Sequence, residues 1–483
     1  MDKNAFQMRM SMQKTAQSTT DEIYRQVPDT AKAASQADTP GQFPLLAIWS
    51  ASKLMPVAYS FADQAFAVGG GFLVNVALAR TQTKEEYGMF ALSYSVFTFL
   101  AGLHNAAILE PYTVYGSGRY RQRFSEYLRL MARNNVVLGL LLTGILLLVC
   151  LVLTWSAPQL MSRALLGLAL TVGVLLSGIF LRRAFYVQRQ PGFAAKSSLV
   201  FFITVACGLW FMVWAQRLNS FSVFLALALG WITAAAVFGR KLQFGKPAQH
   251  FVELEPSYWQ EHWNYSKWVL ATAFVFQLTT QGYYWLVAGF LSAREVGELR
   301  ARYLLVAPVE QALIAVSYLI VPALCAHYAA KRISNFLSLW KRFALATVGL
   351  TALFAIAVRT VGKVAMHILY AGKYDGLAPF LFVLALLPLV TWIGTTMAQA
   401  LNAVEKPKFA FWAYVSSGAV TFLGGIPLVI HYGLRGAVYG MLLSGATYTA
   451  ALALAFTFVF AGSRSRRLPA HPEVEHSLGR EPS

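Results

Sequence analysis

The sequence predicts an all-α polytopic membrane protein with about twelve transmembrane helices in two six-helix lobes. Three observations lead there. The chain of 483 residues is 57% hydrophobic and only 13% charged, where a soluble domain carries about 25% charge. Long stretches contain no Asp, Glu, Lys or Arg: residues 136–153, 164–181, 268–293, 376–404 and 436–462. Each reaches or approaches the roughly 18–20 residues that carry a helix across the hydrocarbon. Finally, the two halves of the chain resemble each other. Backbone groups inside a bilayer must bond within their own segment, so these runs are helices. They lack the two-residue alternation of barrel strands.

The expected spans are 57–80, 86–112, 131–156, 159–181, 194–216, 219–239, 266–292, 296–324, 339–360, 376–403, 409–430 and 436–461. The first is marginal: only 16 uncharged residues separate Asp63 from Arg80. The second opens at Glu86-Tyr87-Gly88 and closes past Glu110-Pro111. The third to sixth are plain apolar runs, set off by basic clusters and by Pro191. The seventh is aromatic and amide-rich. The eighth carries Arg300, Arg302, Glu310 and Pro308. The ninth is bounded by Lys341-Arg342 and Arg359, the eleventh follows Pro407 and the twelfth opens at Gly436. These limits define a polar tail at 1–45, expected to be disordered and without the apolar core of a signal peptide. An N-terminal lobe at 46–240, a linker at 241–265, a C-terminal lobe at 266–461 and a basic tail at 462–483 follow.

Charge orients the chain. With the N-terminal tail inside, the even-numbered connections and the C-terminal tail carry 23 Lys and Arg, against 11 on the other side. That is the positive-inside bias of a protein with both termini in the cytosol. The net charge of +19 therefore needs no nucleic acid, and no basic module with interleaved aromatics suggests one. Cys150, Cys207 and Cys325 lie in or at the end of apolar runs without metal or disulfide spacing. Gly69-Gly70-Gly71 lacks the Lys-Ser/Thr that a phosphate loop requires. No cofactor, metal or ATP chemistry is expected.

The internal repeat has a spacing of about 210 residues. Glu86-Tyr87-Gly88 pairs with Glu295-Val296-Gly297, and Tyr94 with Tyr303. Gln190-Pro191-Gly192-Phe193-Ala194 pairs with Lys406-Pro407-Lys408-Phe409-Ala410, and Gly230 falls near Gly445. Six spans per half make the repeat parallel, and transporters built this way place the substrate between the halves.

Several short motifs occur in order: Ala79-Arg80 with Glu86-Tyr87-Gly88-Met89-Phe90-Ala91-Leu92, then Ala371-Gly372-Lys373-Tyr374. Ala400-Leu401-Asn402-Ala403 with Lys406-Pro407-Lys408 and Tyr432-Gly433-Leu434-Arg435-Gly436-Ala437 complete the series. With them the chain resembles the multidrug/oligosaccharidyl-lipid/polysaccharide (MOP) flippase superfamily, and within it the Wzx-like polysaccharide transporters. At Leu369-Tyr370-Ala371-Gly372 it departs from the family's frequent Phe-Gly pair. The resemblance implies a V-shaped, MATE-like bundle whose crevice is lined by helices 1, 2, 7 and 8. It implies a non-enzymatic flippase in the bacterial inner membrane. The substrate would be an undecaprenyl-diphosphate-linked oligosaccharide, moved outward for exopolysaccharide, O-antigen or capsule synthesis. Implied partners are that lipid-linked substrate, membrane lipids and polymerase or glycosyltransferase machinery.

Ionisable groups at membrane depth cost about 2.5–3.5 kcal/mol each and mark function by default. Glu310 and Glu110 are the ion-coupling candidates; the alternatives are a neutralised buried Glu and an interfacial cap. Arg300 and Arg302 are candidate diphosphate ligands, since an Arg meets such groups with paired hydrogen bonds, with snorkelling as the alternative; Arg80 joins the substrate-binding set through its match to the hairpin motif, with interfacial anchoring as the alternative. His104, Asn105, Gln277, Gln281 and Gln311 complete the substrate-binding set, against roles in packing and interhelical bonding. Trp285 reads as an interfacial belt residue. A drug or cation antiporter of the same superfamily would want a more acidic core than Glu310 provides. A polymerase or ligase would want a larger outer loop than residues 360–375.

Overall fold

The computed structural model describes residues 51–118, 120–156, 159–242, 244 and 257–465. The expected tail at 1–45 lies outside them, as does the expected basic tail from residue 466 onward. Twelve helical rods can be followed among the described residues. The N-terminal half gives α1 (Ala51–Thr81), α2 (Lys84–His104, then a π-helical turn Asn105–Leu109, then Glu110–Ser117), α3 (Phe124–Ser156), α4 (Gln159–Val187), α5 (Pro191–Trp214) and α6 (Ser220–Phe238). The C-terminal half gives α7 (Ser257–Phe290), α8 (Ala293–Ala329), α9 (Ile333–Tyr370), α10 (Leu381–Ala385 and Leu387–Ala403) and α11 (Lys408–Leu423). Helical bonding then runs over Gly425–Ser465, but Gly433 at φ 58°, ψ −137° reverses the chain within it. Residues 425–432 prolong α11, and residues 434–465 form α12. A side chain at Gly436 would strike the Leu428 carbonyl, so glycine lets α12 start flush against α11.

No strand occurs among the described residues, and ten of their helices are long and apolar enough to cross a membrane. The chain is a multi-pass membrane protein. Its exposed side chains agree: Leu140, Leu141, Leu148 and Val152 stud one face of α3. Exposed Trp155, Trp210 and Trp214 mark one end of the bundle, while Trp259, Trp263, Trp268 and Trp412 mark the other, as interfacial tryptophans do.

Three helices run beyond the limits that sequence reading gave them. α4 runs on to Val187, which brings Arg182 and Arg183 into the bundle. Asp63, buried in α1, accepts both arms of Arg182 (2.9 and 2.6 Å), the Tyr186 hydroxyl (2.8 Å) and the Ser198 hydroxyl (2.5 Å). The anion is thus neutralised and fully hydrogen-bonded, which is how a buried charge is tolerated. The connection expected over 360–375 is mostly helix, since α9 reaches Tyr370 and stops at Ala371 in the left-handed region. Residues 257–265, expected in the linker, are the first turns of α7.

Residues Tyr59–Ser483 form one compact unit; of Met1–Ala58 only the opening turns of α1 are described. Within that unit α2 packs along both α7 and α8. The repeat is visible in the backbone. Thr83 and Ser292 both accept N-cap bonds, at α2 and α8. Arg189 and Glu405, each two residues before a repeated proline, share the left-handed conformation (φ 57° and 60°). Gly88 and Gly297, paired in the repeat, meet where α2 and α8 cross. A side chain on Gly88 would strike the Ala293 carbonyl.

Candidate functional site

Above that crossing, at the end opposite the basic connections, the two halves are tied together. The Lys84 ammonium pairs with Glu298 (2.9 Å) and lies over the Tyr374 ring. The Lys373 ammonium donates to the Ala79 carbonyl (3.2 Å). Glu86 accepts from the Ser220 amide (2.6 Å), capping α6. Tyr87 and Tyr374 pack edge to face, and Tyr370 and Tyr374 extend the same cluster. A salt bridge, a main-chain bond and a tyrosine cluster thus close this end.

Below the crossing, α1, α2, α7 and α8 converge on Arg300. Its Nε donates to Asn75 Oδ1 (3.1 Å), and its guanidinium lies over the rings of Tyr94 and Tyr284, 5.1 and 5.9 Å from their centroids. Asn75 is held in turn. It is buried, its amide donates to the Gly71 carbonyl (2.8 Å), and its oxygen also accepts from the Tyr87 hydroxyl (3.1 Å). Glu310, further along α8, accepts from Tyr303 (2.8 Å). No ion pair reaches Arg300 among the described residues. Among the described residues this half-buried cation is met by a neutral amide oxygen and two tyrosines, and by no carboxylate. Such a group can meet an anion through its remaining N–H donors.

The other sequence-derived candidates fall in different places. Arg302 is buried on another face of α8, donating to the Leu377 carbonyl (3.4 Å) rather than joining the junction. Arg80 is exposed at the end of α1. His104 is buried among α2, α3 and α4, bonded to Asn135 (2.7 Å), which donates to Ser177; it faces packing, not the junction. Gln277 is buried against Gly102, where an added side chain would collide with it, and Gln281 is half-buried one turn on. Gln311 is exposed. Asn105 and Glu110 lie near Arg183, toward the basic end. Trp285 is not a free belt residue: its indole donates to Ser95 (2.9 Å).

Sequence reading missed Asn75, Tyr94 and Tyr284 as partners of Arg300, and counted Arg183 only among the basic residues outside the spans. Asn75 had a signal, being the one amide deep in the uncharged run of α1, where Gln64 stands at its edge beside Asp63. Arg183 had none, because its position depends on where α4 ends.

No family model matches the sequence and no curated relative matches it. Solved structures do match. A multidrug-resistance MATE family transporter in an inward-facing conformation superposes with a TM-score of 0.71 at 9% identity, over 84% of this chain and 96% of its own. The fold is that of the MOP-superfamily transporters. The lipid II flippase MurJ, in an inward closed conformation, matches at TM-score 0.65 and 15% identity, over 83% of this chain and 87% of its own. The Vibrio cholerae MATE transporter VcmN, in its bent form, matches at 0.58 and 14%, over 86% and 99%. These neighbours are transporters and a flippase, not enzymes.

Proposed function

We propose that this chain is a flippase for an undecaprenyl-diphosphate-linked oligosaccharide, moving it from the cytosolic to the outer leaflet of a bacterial inner membrane by alternating access. One observation carries the reading: Arg300 is a cation at membrane depth with no carboxylate partner among the described residues, in a chain folded like a lipid flippase. A cation left uncompensated in lipid is expensive, and a diphosphate would compensate it. On this reading both termini are cytosolic, and the end tied by Lys84–Glu298 faces outward. The lipid tail stays in the bilayer while the diphosphate docks on Arg300, and the tie must break for release. Polymerase or glycosyltransferase machinery would supply and consume the lipid-linked sugar.

The test is polysaccharide export in a strain whose own flippase is deleted. Wild type restores export. Arg300→Ala, inserted and melting normally, lowers it by roughly 10- to 100-fold, the loss of a charged hydrogen bond of about 1.5–3 kcal/mol. Normal export by Arg300→Ala rejects the reading.

A second reading, cation antiport, draws on Glu310 and on the likeness to MATE transporters. It is favoured if organic-cation efflux depends on Glu310 and not on Arg300.

A further inference from the structure

The π-helical turn of α2 has a chemical consequence. A regular helix turns once in 3.6 residues, so residues five apart stand on different faces. At Asn105–Leu109 the Glu110 amide bonds back to the Asn105 carbonyl, closing one turn over five residues. Asn105 and Glu110 therefore share a face, directed at α4. Arg183 meets them there: its Nη2 donates to Asn105 Oδ1 (3.2 Å), and Glu110 lies within its electrostatic reach without a direct ion pair among the described residues. α7 adds Tyr265, within reach of Glu110 and edge-on to Tyr115 with centroids 5.8 Å apart. All five side chains are half-buried. Such π turns often occur at functional sites.

We infer that this cluster is a glycan subsite, distinct from the Arg300 junction and serving the same substrate; it rests on the flippase reading. The chemistry is that of a polyol. Arg183 is a donor only and Glu110, ionised, an acceptor only, so neighbouring sugar hydroxyls accept from one and donate to the other. Asn105 fixes the guanidinium plane, and the Tyr265 and Tyr115 rings offer an apolar wall to a sugar face. Pockets that combine an aromatic wall with a few placed polar groups are the usual small-molecule sites. A diphosphate fits less well, because Glu110 would repel it. Tyr94, against Arg300, and Glu110 are sixteen residues apart on α2, about 24 Å at 1.5 Å per residue. A carrier docked on Arg300 reaches the subsite only through an oligosaccharide. The subsite therefore engages only a glycan long enough to span that distance.

The test measures binding to the full chain in nanodiscs with two probes. One is undecaprenyl diphosphate without sugar; the other is lipid-linked oligosaccharide extracted from cells lacking this chain. Wild type should bind the glycosylated probe at least ten-fold more tightly. Arg183→Ala, Glu110→Gln and Tyr265→Ala should erase that difference while keeping the affinity for the bare carrier. Tyr265→Phe should keep the difference, since the ring and not the hydroxyl forms the wall. Arg300→Ala should weaken both probes. If wild type binds the two probes equally, or the three subsite variants retain the ten-fold difference, the glycan subsite is overturned and the flippase reading stands. If wild type binds neither probe, both fall.

Discussion

At the scale of single residues, Asp63 and Arg300 differ in how their charge is met. Both are charges among apolar helices. Asp63 is neutralised by Arg182 and saturated by Tyr186 and Ser198, so it is a fixed structural clamp. Arg300 has Asn75 and two tyrosine rings, a setting that orients a cation without cancelling it. Cation–π contacts are worth about 0.5–2 kcal/mol, too little to replace a counterion. Asn75→Asp isolates this property. It keeps size and shape but supplies a carboxylate to Arg300. The expected outcome is a protein that inserts like wild type and gives up only the local bond to the Gly71 carbonyl, while transport falls by about ten-fold or more, equivalent to at least about 1.4 kcal/mol of lost anion binding. Proteoliposome transport assays beside thermal melts read both quantities; unchanged transport would show that the charge of Arg300 is not used.

At the scale of elements, the helices were largely legible and their ends were not. Apolar runs of membrane-spanning length announce themselves, and the repeat appears in the sequence as Gly88 and Gly297 and in the structure as the crossing of α2 and α8. Ends were misjudged wherever charge was taken to mean water. Arg182 and Arg183 are basic yet helical and inward-facing, because Asp63 and Asn105 await them on other helices. The candidate site was partly legible for the same reason. Arg300 and Glu310 are costly in lipid and stand out. Which tyrosines and amides surround them depends on helix rotation, and the π turn of α2 rotates everything after Asn105. His104 shows the converse: a polar residue at membrane depth that pairs with Asn135 inside one half. The tie at the closed end makes a prediction about elements moving as units. A chain with Lys84→Cys and Glu298→Cys, joined by a bifunctional thiol reagent with a reducible spacer, should lose transport. It should recover when the spacer is cut. Transport that persists while crosslinked would mean α2 and α8 need not separate there.

For the whole molecule, twelve rods with a parallel repeat give a multi-pass fold shared with MATE transporters and a lipid flippase. The fold alone does not choose between cationic and anionic cargo, since MATE transporters and a lipid flippase share it. The choice falls to the charge at the centre, which among the described residues is an arginine without a carboxylate partner and a glutamate held by tyrosine. The most direct measurement is equilibrium binding of bare undecaprenyl diphosphate to the purified chain in nanodiscs, with an organic cation measured alongside. The account predicts that the diphosphate lipid binds, that Arg300→Ala weakens it by at least about ten-fold, and that Glu310→Gln leaves it unchanged. Binding of the organic cation alone, lost in Glu310→Gln and kept in Arg300→Ala, would contradict it.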